Sequence, residues 1–185
     1  MDVVQADADR WDARYEGRRT GEPAPPKGYD LAGPVVEGRV LDVACGLGEQ
    51  SIWAAERGFD VVALDASPVA IERLREAADQ HRVGDRIDAR VVDLDHGLPN
   101  DIGQFELVIC QRFRNRDVYP QLASVTAAGG TMLVTVLSQV GRNHVEIGPF
   151  HAPPGELLAA FGDLDVDIVA HIERDGEATL IAHRR

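Results

Sequence analysis

The sequence has few cysteines, few basic residues and no long apolar run, and each shortage argues against a class of protein. Two cysteines in 185 residues do not form a disulfide framework, so we expect free thiols in a reducing compartment. They are far apart and lack the C-x-x-C spacing of a metal site, so we expect no bound metal. No apolar run approaches the ~20 residues of a membrane span. The first ten residues also lack the basic start and apolar core of a signal peptide.

Basic residues are outnumbered, because 19 Lys and Arg stand against 31 Asp and Glu for a net charge of −12. A surface this acidic repels nucleic acid phosphates unless a local basic patch overrides it. The apolar share of 44% is ordinary for a globular protein, and the length suits one domain. We therefore expect a cytoplasmic protein, monomeric or homodimeric, that acts on a small molecule and binds neither nucleic acid nor membrane.

The chain is predicted to form a single domain over residues 1–185, in which residues 1–34 are a cap and a Pro-rich connector. Residues 7–16 fit one helix, since Trp11 and Tyr15 fall on one face at i, i+4. From Arg39 onwards, short apolar runs alternate with helical patterns, which predicts an α/β, doubly wound and mostly parallel seven-stranded sheet. The sequence Asp-Gly between the last two strands indicates a hairpin, so the last strand should be antiparallel.

The predicted strands are Val40–Ala44, Phe59–Leu64, Ile87–Val92, Phe105–Cys110, Thr131–Leu137, Val166–Ile172 and Ala178–His183. The predicted helices are Glu49–Arg57, a helix opened by Ser67 and Pro68, a helix capped by Asp117, and Pro154–Phe161. Ligands of such sheets bind beyond the carboxyl ends of the strands, where the strand order reverses.

The central feature is the stretch Arg39–Ser51, R-V-L-D-V-A-C-G-L-G-E-Q-S. It has the form of a buried strand, a turn with Gly46 and Gly48, and the start of a helix, which lets a nucleotide approach bare backbone. The alternative is a turn that needs glycine for its geometry alone. Asp42 lies inside the strand, where a buried carboxylate is costly unless it is satisfied. It is satisfied either by the loop backbone alone or by the positive charge of a ligand.

Two further aspartates end the next strands. Asp65 follows Gly46 by 19 residues (65 − 46), the separation at which a carboxylate binds both hydroxyls of a ribose. Asp93 can accept from an adenine amino group while Leu94 flanks the ring. The alternative is that both aspartates only form turns or cap helices.

These motifs resemble those of class I S-adenosylmethionine-dependent methyltransferases. The resemblance rests on L-D-V-A-C-G-L-G-E-Q-S, on Asp65, on V-V-D-L-D at 91–95 and on A-G-G-T-M-L-V-T at 128–135. Small tellurite-resistance-type methyltransferases share two further features, a W-D-x-R-Y start at 11–15 and a segment 150–157 that begins with Phe and ends in G-E-L. The chain departs from the family at Ala44, where a glycine is usual, and at Glu49, where arginine is frequent.

The resemblance implies a cofactor, S-adenosyl-L-methionine, and a set of residues around it. Asp42, Ala44, Gly46 and Gly48 surround its methionine part, while Asp65 holds the ribose. Asp93 and Leu94 take the adenine, Cys110 and Gln111 lie beneath the methionine part, and Trp11, Arg14 and Tyr15 close over it. The turn residues Cys45, Ala66 and Ser67 complete the predicted cofactor site.

The acceptor side is predicted from the loop after the fourth strand and from two histidines. Arg112, Arg114 and Arg116 suit an oxyanion, although they can equally be solvated arginines that pair with nearby acids. His144 and His151 follow the fifth strand and are candidates for a general base, with surface loops as the alternative. We take Arg112, His144 and His151 as candidate catalytic residues.

The predicted function is methyl transfer to a small acceptor, with an anionic one as a candidate, at an oxygen, sulfur or chalcogen nucleophile. The tetrapeptide [D/N]-P-P-[Y/F] of amino-methylating DNA enzymes is absent, which argues further against nucleic acid. An NAD-binding Rossmann protein and a non-catalytic S-adenosylmethionine-binding module are the alternatives.

Overall fold

The computed structural model describes residues 11–33, 35, 37–141 and 147–185. Its centre is a seven-stranded sheet in the order β3-β2-β1-β4-β5-β7-β6. The strands are β1 Arg39–Val43, β2 Asp60–Asp65, β3 Ile87–Val91, β4 Phe105–Gln111, β5 Thr126–Leu137, β6 Val166–Arg174 and β7 Glu177–Arg184. β7 is antiparallel to both of its neighbours, β5 and β6, and the other strand pairs of this sheet are parallel. The predicted fold class, with its antiparallel last strand, is therefore confirmed.

Helices cover both faces of the sheet. They are α1 Glu49–Glu56, α2 Pro68–Gln80, α3 Tyr119–Val125 and α4 Glu156–Phe161, with short 3-10 helices at Tyr29–Leu31, Gly84–Arg86 and Leu94–His96. Residues 11–15 are helical as well, while residues 7–10 of that predicted helix lie outside the described residues.

The two predicted helix starts differ in outcome. Ser67 caps α2 as expected, because its hydroxyl accepts from the Ala70 backbone N–H. The prediction that Asp117 caps α3 is wrong: Val118 occupies the cap position and no side chain caps the helix. The Asp117 backbone N–H instead donates to the Asn115 side chain at 3.0 Å, which forms a turn ahead of the helix.

The central strands β1, β2 and β4 are largely apolar and buried because both faces of the sheet are covered there. In β1, Leu41 and Val43 pack into the half of the core that contains α3 and α4. Val40, from the opposite face of the same strand, packs with Ile52 and Leu74 of α1 and α2.

The strand order reverses at β1, whose neighbours are β2 and β4. Val43 pairs with both Leu64 and Cys110, so the three strands end at the same level. The glycine turn begins one residue later and therefore lies at the switch point, where open α/β sheets bind their ligands.

The cap follows this carboxyl edge of the sheet. The Thr20 hydroxyl donates to the Leu47 carbonyl at 2.8 Å, beside the glycine turn. Further along, the Lys27 backbone N–H donates to the Gln111 side chain at 3.3 Å, at the end of β4. The segment thus crosses the edge from β1 to β4.

Candidate active site

The two glycines of the turn face different neighbours. A Cβ added to Gly48 would lie 2.2 Å from Leu74 Cδ1, so close packing of α1 against α2 requires glycine there. A Cβ added to Gly46 would lie 3.0 Å from the Tyr15 hydroxyl instead. Gly46 therefore faces the cap, while Gly48 faces the protein interior.

Ala44 holds a backbone conformation that glycine adopts more easily. Its φ of 55° lies in the left-handed region, which costs an L-residue roughly 1–2 kcal/mol. The backbone conformation thus explains why glycine is usual in the family at this position. In this chain Ala44 holds the same conformation under strain.

Asp65 joins the glycine turn to the start of α2. Its carboxylate accepts from the Gly46 backbone N–H at 2.8 Å and from the Ser67 N–H at 2.9 Å. The side chain is buried, and burial raises its pKa while these backbone bonds oppose the rise. The residue predicted to hold the ribose therefore also fixes the loops on both sides of the crevice.

Asp42 is buried within β1 and its carboxylate accepts from the Ser51 hydroxyl at 2.6 Å. Burial raises its pKa to about 7, and the charges of Asp65 and Glu49 add to the rise. Three carboxylates thus lie around one turn, an arrangement that favours a positively charged ligand.

Asp93 and Leu94 form the loop after β3. The Asp93 carboxylate accepts from the Asp95 backbone N–H at 3.0 Å and contacts His96 Nδ1 at 2.7 Å. Leu94 is 3% exposed and packs in the core. Asp93 thus caps the short helix that follows, as the structural alternative proposed, and its part in adenine binding stays a prediction.

The cap residues lie directly over the glycine turn. Trp11 and Tyr15 stack with ring centroids 6.1 Å apart, and the Arg14 guanidinium lies 5.6 Å from the Trp11 centroid. Burial and then the charge of Asp65 raise the pKa of Tyr15. Tyr15 is therefore close to the carboxylates of the turn.

Glu49, the second departure from the family pattern, binds the connector. Its carboxylate accepts from the Gly21 backbone N–H at 3.1 Å, and its carbonyl accepts from the Ala24 N–H at 3.4 Å. It is also the first residue of α1, where a negative charge is stabilised by the helix dipole. The chain uses this position to attach its cap.

The two cysteines are free thiols in opposite halves of the core. Burial raises the pKa of Cys45 well above its usual value and that of Cys110 to about 12. Beside them, Gln111 accepts from Lys27 and donates to the Leu133 carbonyl at 3.4 Å. The Gln111 side chain is thus fixed between the cap and β5.

On the acceptor side, Arg112 directly follows β4 and has a φ of 59°. Its Nε donates to Glu177 at 2.8 Å, and Lys27 Nζ pairs with the same carboxylate. Two cations therefore share one anion at the carboxyl edge of the sheet.

Arg114 is committed to an internal contact. It forms a bidentate pair with Glu156 at 2.8 and 2.5 Å and donates to the Pro149 carbonyl at 3.0 Å. The Tyr119 hydroxyl also reaches Glu156, at 3.4 Å. This arginine agrees with the alternative of pairing with nearby acids, whereas Arg116 is exposed.

Of the two candidate histidines, the structure describes one. His151 Nδ1 accepts from the Gly148 backbone N–H at 3.0 Å, and the next residue, Ala152, bridges to Ser138 beyond β5. His151 thus lies at the carboxyl edge, while His144 lies outside the described residues. Their catalytic roles stay predictions.

Sequence reasoning missed Lys27, Glu177 and Asp12 as site residues. Glu177 could have been found, because it opens the antiparallel last strand and so lies at the same edge as the ends of the parallel strands. Asp12 could also have been found, because it is the aspartate of the W-D-x-R-Y start at 11–15, whereas Lys27 carries no local signal beyond its place in the connector.

Two kinds of site are absent from the described residues. No three His, Cys, Asp or Glu side chains among them form a metal site. None of their helices has the length and apolar character needed to cross a membrane.

Comparison with known proteins relates part of this chain to a methyltransferase family. The family described as "Methyltransferase domain" matches residues 40–130. Glycine N-methyltransferase of Homo sapiens is 29% identical over 154 residues, which cover 72% of this chain and 51% of that protein. The chain thus spans about half the length of the curated relatives it matches.

Solved structures share the whole fold. TehB from Haemophilus influenzae superposes with a TM-score of 0.72 at 18% identity, covering 95% of this chain and 67% of that one. Geranyl diphosphate C-methyltransferase from Streptomyces coelicolor A3(2) gives a TM-score of 0.75 at 12% identity, covering 100% and 98%. At such identities they establish the fold. The family match over residues 40–130 and the shared fold both agree with the resemblance to class I S-adenosylmethionine-dependent methyltransferases.

Proposed function

We propose that the chain transfers the methyl group of S-adenosylmethionine to a small acceptor that carries a negative charge. The observation that supports this most directly is the opposite charge of two regions at the carboxyl edge of the sheet, the glycine turn and the end of β4. Carboxylates surround the glycine turn, whereas two cations share one carboxylate at the end of β4. A cationic donor and an anionic acceptor match these two sides.

On the donor side, we propose that the turn from Ala44 to Gly48 and the carboxylates Asp42 and Asp65 hold the cofactor. Gly46 presents backbone without a side chain toward Tyr15, which suits a ligand held between the turn and the cap. Asp42 lies close enough to this turn to attract the ammonium and sulfonium charges of S-adenosylmethionine.

The NAD-binding alternative fits this turn poorly. NAD would bring a pyrophosphate with negative charge to the glycine turn, beside Asp42, Asp65 and Glu49. Like charges there would repel one another, and the buried carboxylates already have raised pKa values. The electrostatics therefore favour a cation over a pyrophosphate.

On the acceptor side, we propose that Arg112 and Lys27 bind an oxyanion. Glu177 is 15% exposed and neutralises only one of the two charges, while Arg112 and Lys27 are 72% and 55% exposed. Their remaining N–H donors therefore face solvent, and a guanidinium suits carboxylates. Glycine, after which the human relative is named, is itself a small carboxylate.

The protein's part in the reaction is to place the acceptor in line with the methyl group. S-adenosylmethionine supplies a methyl group already activated by its sulfonium. Holding the two reactants in a near-attack geometry contributes up to ~7–11 kcal/mol. A thiolate or oxyanion acceptor needs no base, whereas a protonated nucleophile needs one, for which His151 is our candidate.

Cofactor binding is the first test. Thermal unfolding is measured with S-adenosylmethionine, S-adenosylhomocysteine, NAD and NADP, since a ligand at 100 times its Kd stabilises by about 2.7 kcal/mol. We expect stabilisation by the first two, and loss of it in Asp65→Ala. Stabilisation by NAD alone would refute the proposal.

Acceptor turnover is the second test. Labelled methyl transfer is followed with glycine, thioglycolate and tellurite, and with glycinamide as the match of glycine that lacks the carboxylate. We expect a charged acceptor to be methylated and Arg112→Ala to raise its KM at least tenfold, while Arg116→Ala, in the same loop, leaves it unchanged. Cofactor binding without turnover of any acceptor would favour the non-catalytic module.

We further propose the cytoplasm as the compartment, in keeping with two free thiols.

A further inference from the structure

Asp12 joins the cap to the start of α2. The Ser67 hydroxyl donates to its carboxylate, and the Val69 backbone N–H donates to the same oxygen at 3.3 Å. Val69 is in the first turn of a 13-residue helix, whose free N–H groups favour a negative charge. The contact thus combines a hydroxyl donor, a backbone donor and the helix dipole on one carboxylate.

The same short helix reaches the glycine turn through Tyr15. Tyr15 is three residues after Asp12, on the same side of the helix, and its hydroxyl lies 3.0 Å from the Cβ position of Gly46. The helical residues 11–15 are therefore held at α2 by Asp12 and placed over Gly46 by Tyr15. The charge of Asp12 contributes to the raised pKa of Asp65, so Asp12 lies beside the crevice itself.

We propose that Asp12 is a positioning residue that holds the cap closed over the bound cofactor and thereby slows its release. This inference rests on the proposed cofactor site at the glycine turn. When the contacts of Asp12 with Ser67 and Val69 break, the helical residues 11–15 separate from α2, and Tyr15 moves away from Gly46. Cofactor exchange follows this opening, so the strength of the Asp12 contact sets the dissociation rate.

The test compares Asp12→Ala with Glu16→Ala, a matched loss of a carboxylate from the exposed end of the same segment. Binding of S-adenosylhomocysteine is measured by stopped-flow fluorescence of the intact chain. We expect Asp12→Ala to raise the dissociation rate and the Kd about tenfold, and Asp12→Asn, which keeps an acceptor oxygen, to give a smaller rise. Glu16→Ala should behave as the unaltered chain.

A double-mutant cycle with Ser67→Ala tests whether the contact itself is responsible. Because Ser67 also caps α2, Ser67→Ala lowers stability, and affinity is compared at a temperature where every variant is folded. We expect the double variant to bind no more weakly than the weaker single variant, since partners in one contact are not additive.

Limited trypsin digestion gives a readout without activity. The cap offers Arg14, Arg18 and Arg19 as exposed cleavage sites. S-adenosylhomocysteine should protect the unaltered chain and Glu16→Ala from cleavage there, and should protect Asp12→Ala much less.

Unchanged affinity and protection in Asp12→Ala would overturn the proposal. Tighter binding would overturn it too, because Asp12 would then obstruct the site. If the unaltered chain binds no S-adenosylhomocysteine, or Asp65→Ala binds it equally well, the proposed cofactor site itself fails.

Discussion

Gly48→Ala tests whether this glycine serves packing and not the cofactor. The added Cβ would lie 2.2 Å from Leu74 Cδ1 and 2.9 Å from its Cγ, and Leu74 is fully buried. The residue also has a φ of 86°. Left-handed strain costs about 1–2 kcal/mol and overpacking about 1–3 kcal/mol, while restriction of the unfolded chain returns about 0.4–1 kcal/mol. We expect a net loss of about 3 kcal/mol, the upper middle of the range that these contributions span.

Urea denaturation of the ligand-free protein measures this loss. Leu74→Ala alone should cost about 2–5 kcal/mol through its cavity. In the double variant the new methyl group enters the space that Leu74 leaves, so the two losses should not add. A strictly additive pair, or a loss for Gly48→Ala below about 1 kcal/mol, the least that left-handed strain alone costs, would refute the packing argument.

Gly46→Ala is the matched comparison, because its Cβ meets only the hydroxyl end of Tyr15. It shares the left-handed strain but not the clash with a buried side chain. We therefore expect a stability loss of about 1 kcal/mol, near the lower end of the left-handed penalty, together with weaker S-adenosylhomocysteine binding. For Gly48→Ala, binding measured where the protein is folded should change less.

Three further predictions concern titration and burial. Asp42 has a raised pKa, so it stabilises the folded state fully below about pH 4, and this contribution is lost as the pH rises through about 7. The free energy of unfolding of Asp42→Asn should therefore increase relative to that of the unaltered chain as the pH rises from about 4 to about 7. Urea denaturation at a series of pH values measures this difference. Arg114→Gln should cost about 3 kcal/mol, the lower end for removing one partner of a buried ion pair, because it leaves buried Glu156 without its cation, whereas Arg116→Gln should cost little. At about pH 8, near the ordinary thiol pKa, both thiols should react with Ellman's reagent only after the protein is unfolded, because burial raises the pKa of each. Rapid reaction of the folded protein would contradict the burial of the two cysteines.

The sequence predicted the elements whose signals are local. The position of Ser67 before Pro68 identified the start of α2, and alternation of apolar runs with helical patterns identified the sheet. Asp117 misled because an aspartate before a helix resembles a cap. Asn115, two residues earlier, accepts from its backbone N–H and forms a turn first.

The partners of the site residues were not predictable in this way. Arg112 pairs with a residue 65 positions away, and Arg114 with one 42 positions away. Such pairs depend on which strands become neighbours, and many acids in this chain were equally suitable partners. The function of Glu49 was hidden for the same reason, since Gly21 reaches it only when the cap crosses the turn.

The net charge of −12 and the proposed anionic acceptor are compatible because the charges are arranged in two groups. At the glycine turn, the charges of Asp65 and Glu49 raise the cost of ionising Asp42, which a cationic ligand relieves. A cation bound there should therefore favour the ionised form of Asp42 and release protons near its pKa of about 7. At the end of β4, Arg112 and Lys27 exceed the charge of Glu177, so an anion gains most at this end of the edge. Binding of the donor and binding of the acceptor should thus respond to added salt through different residues.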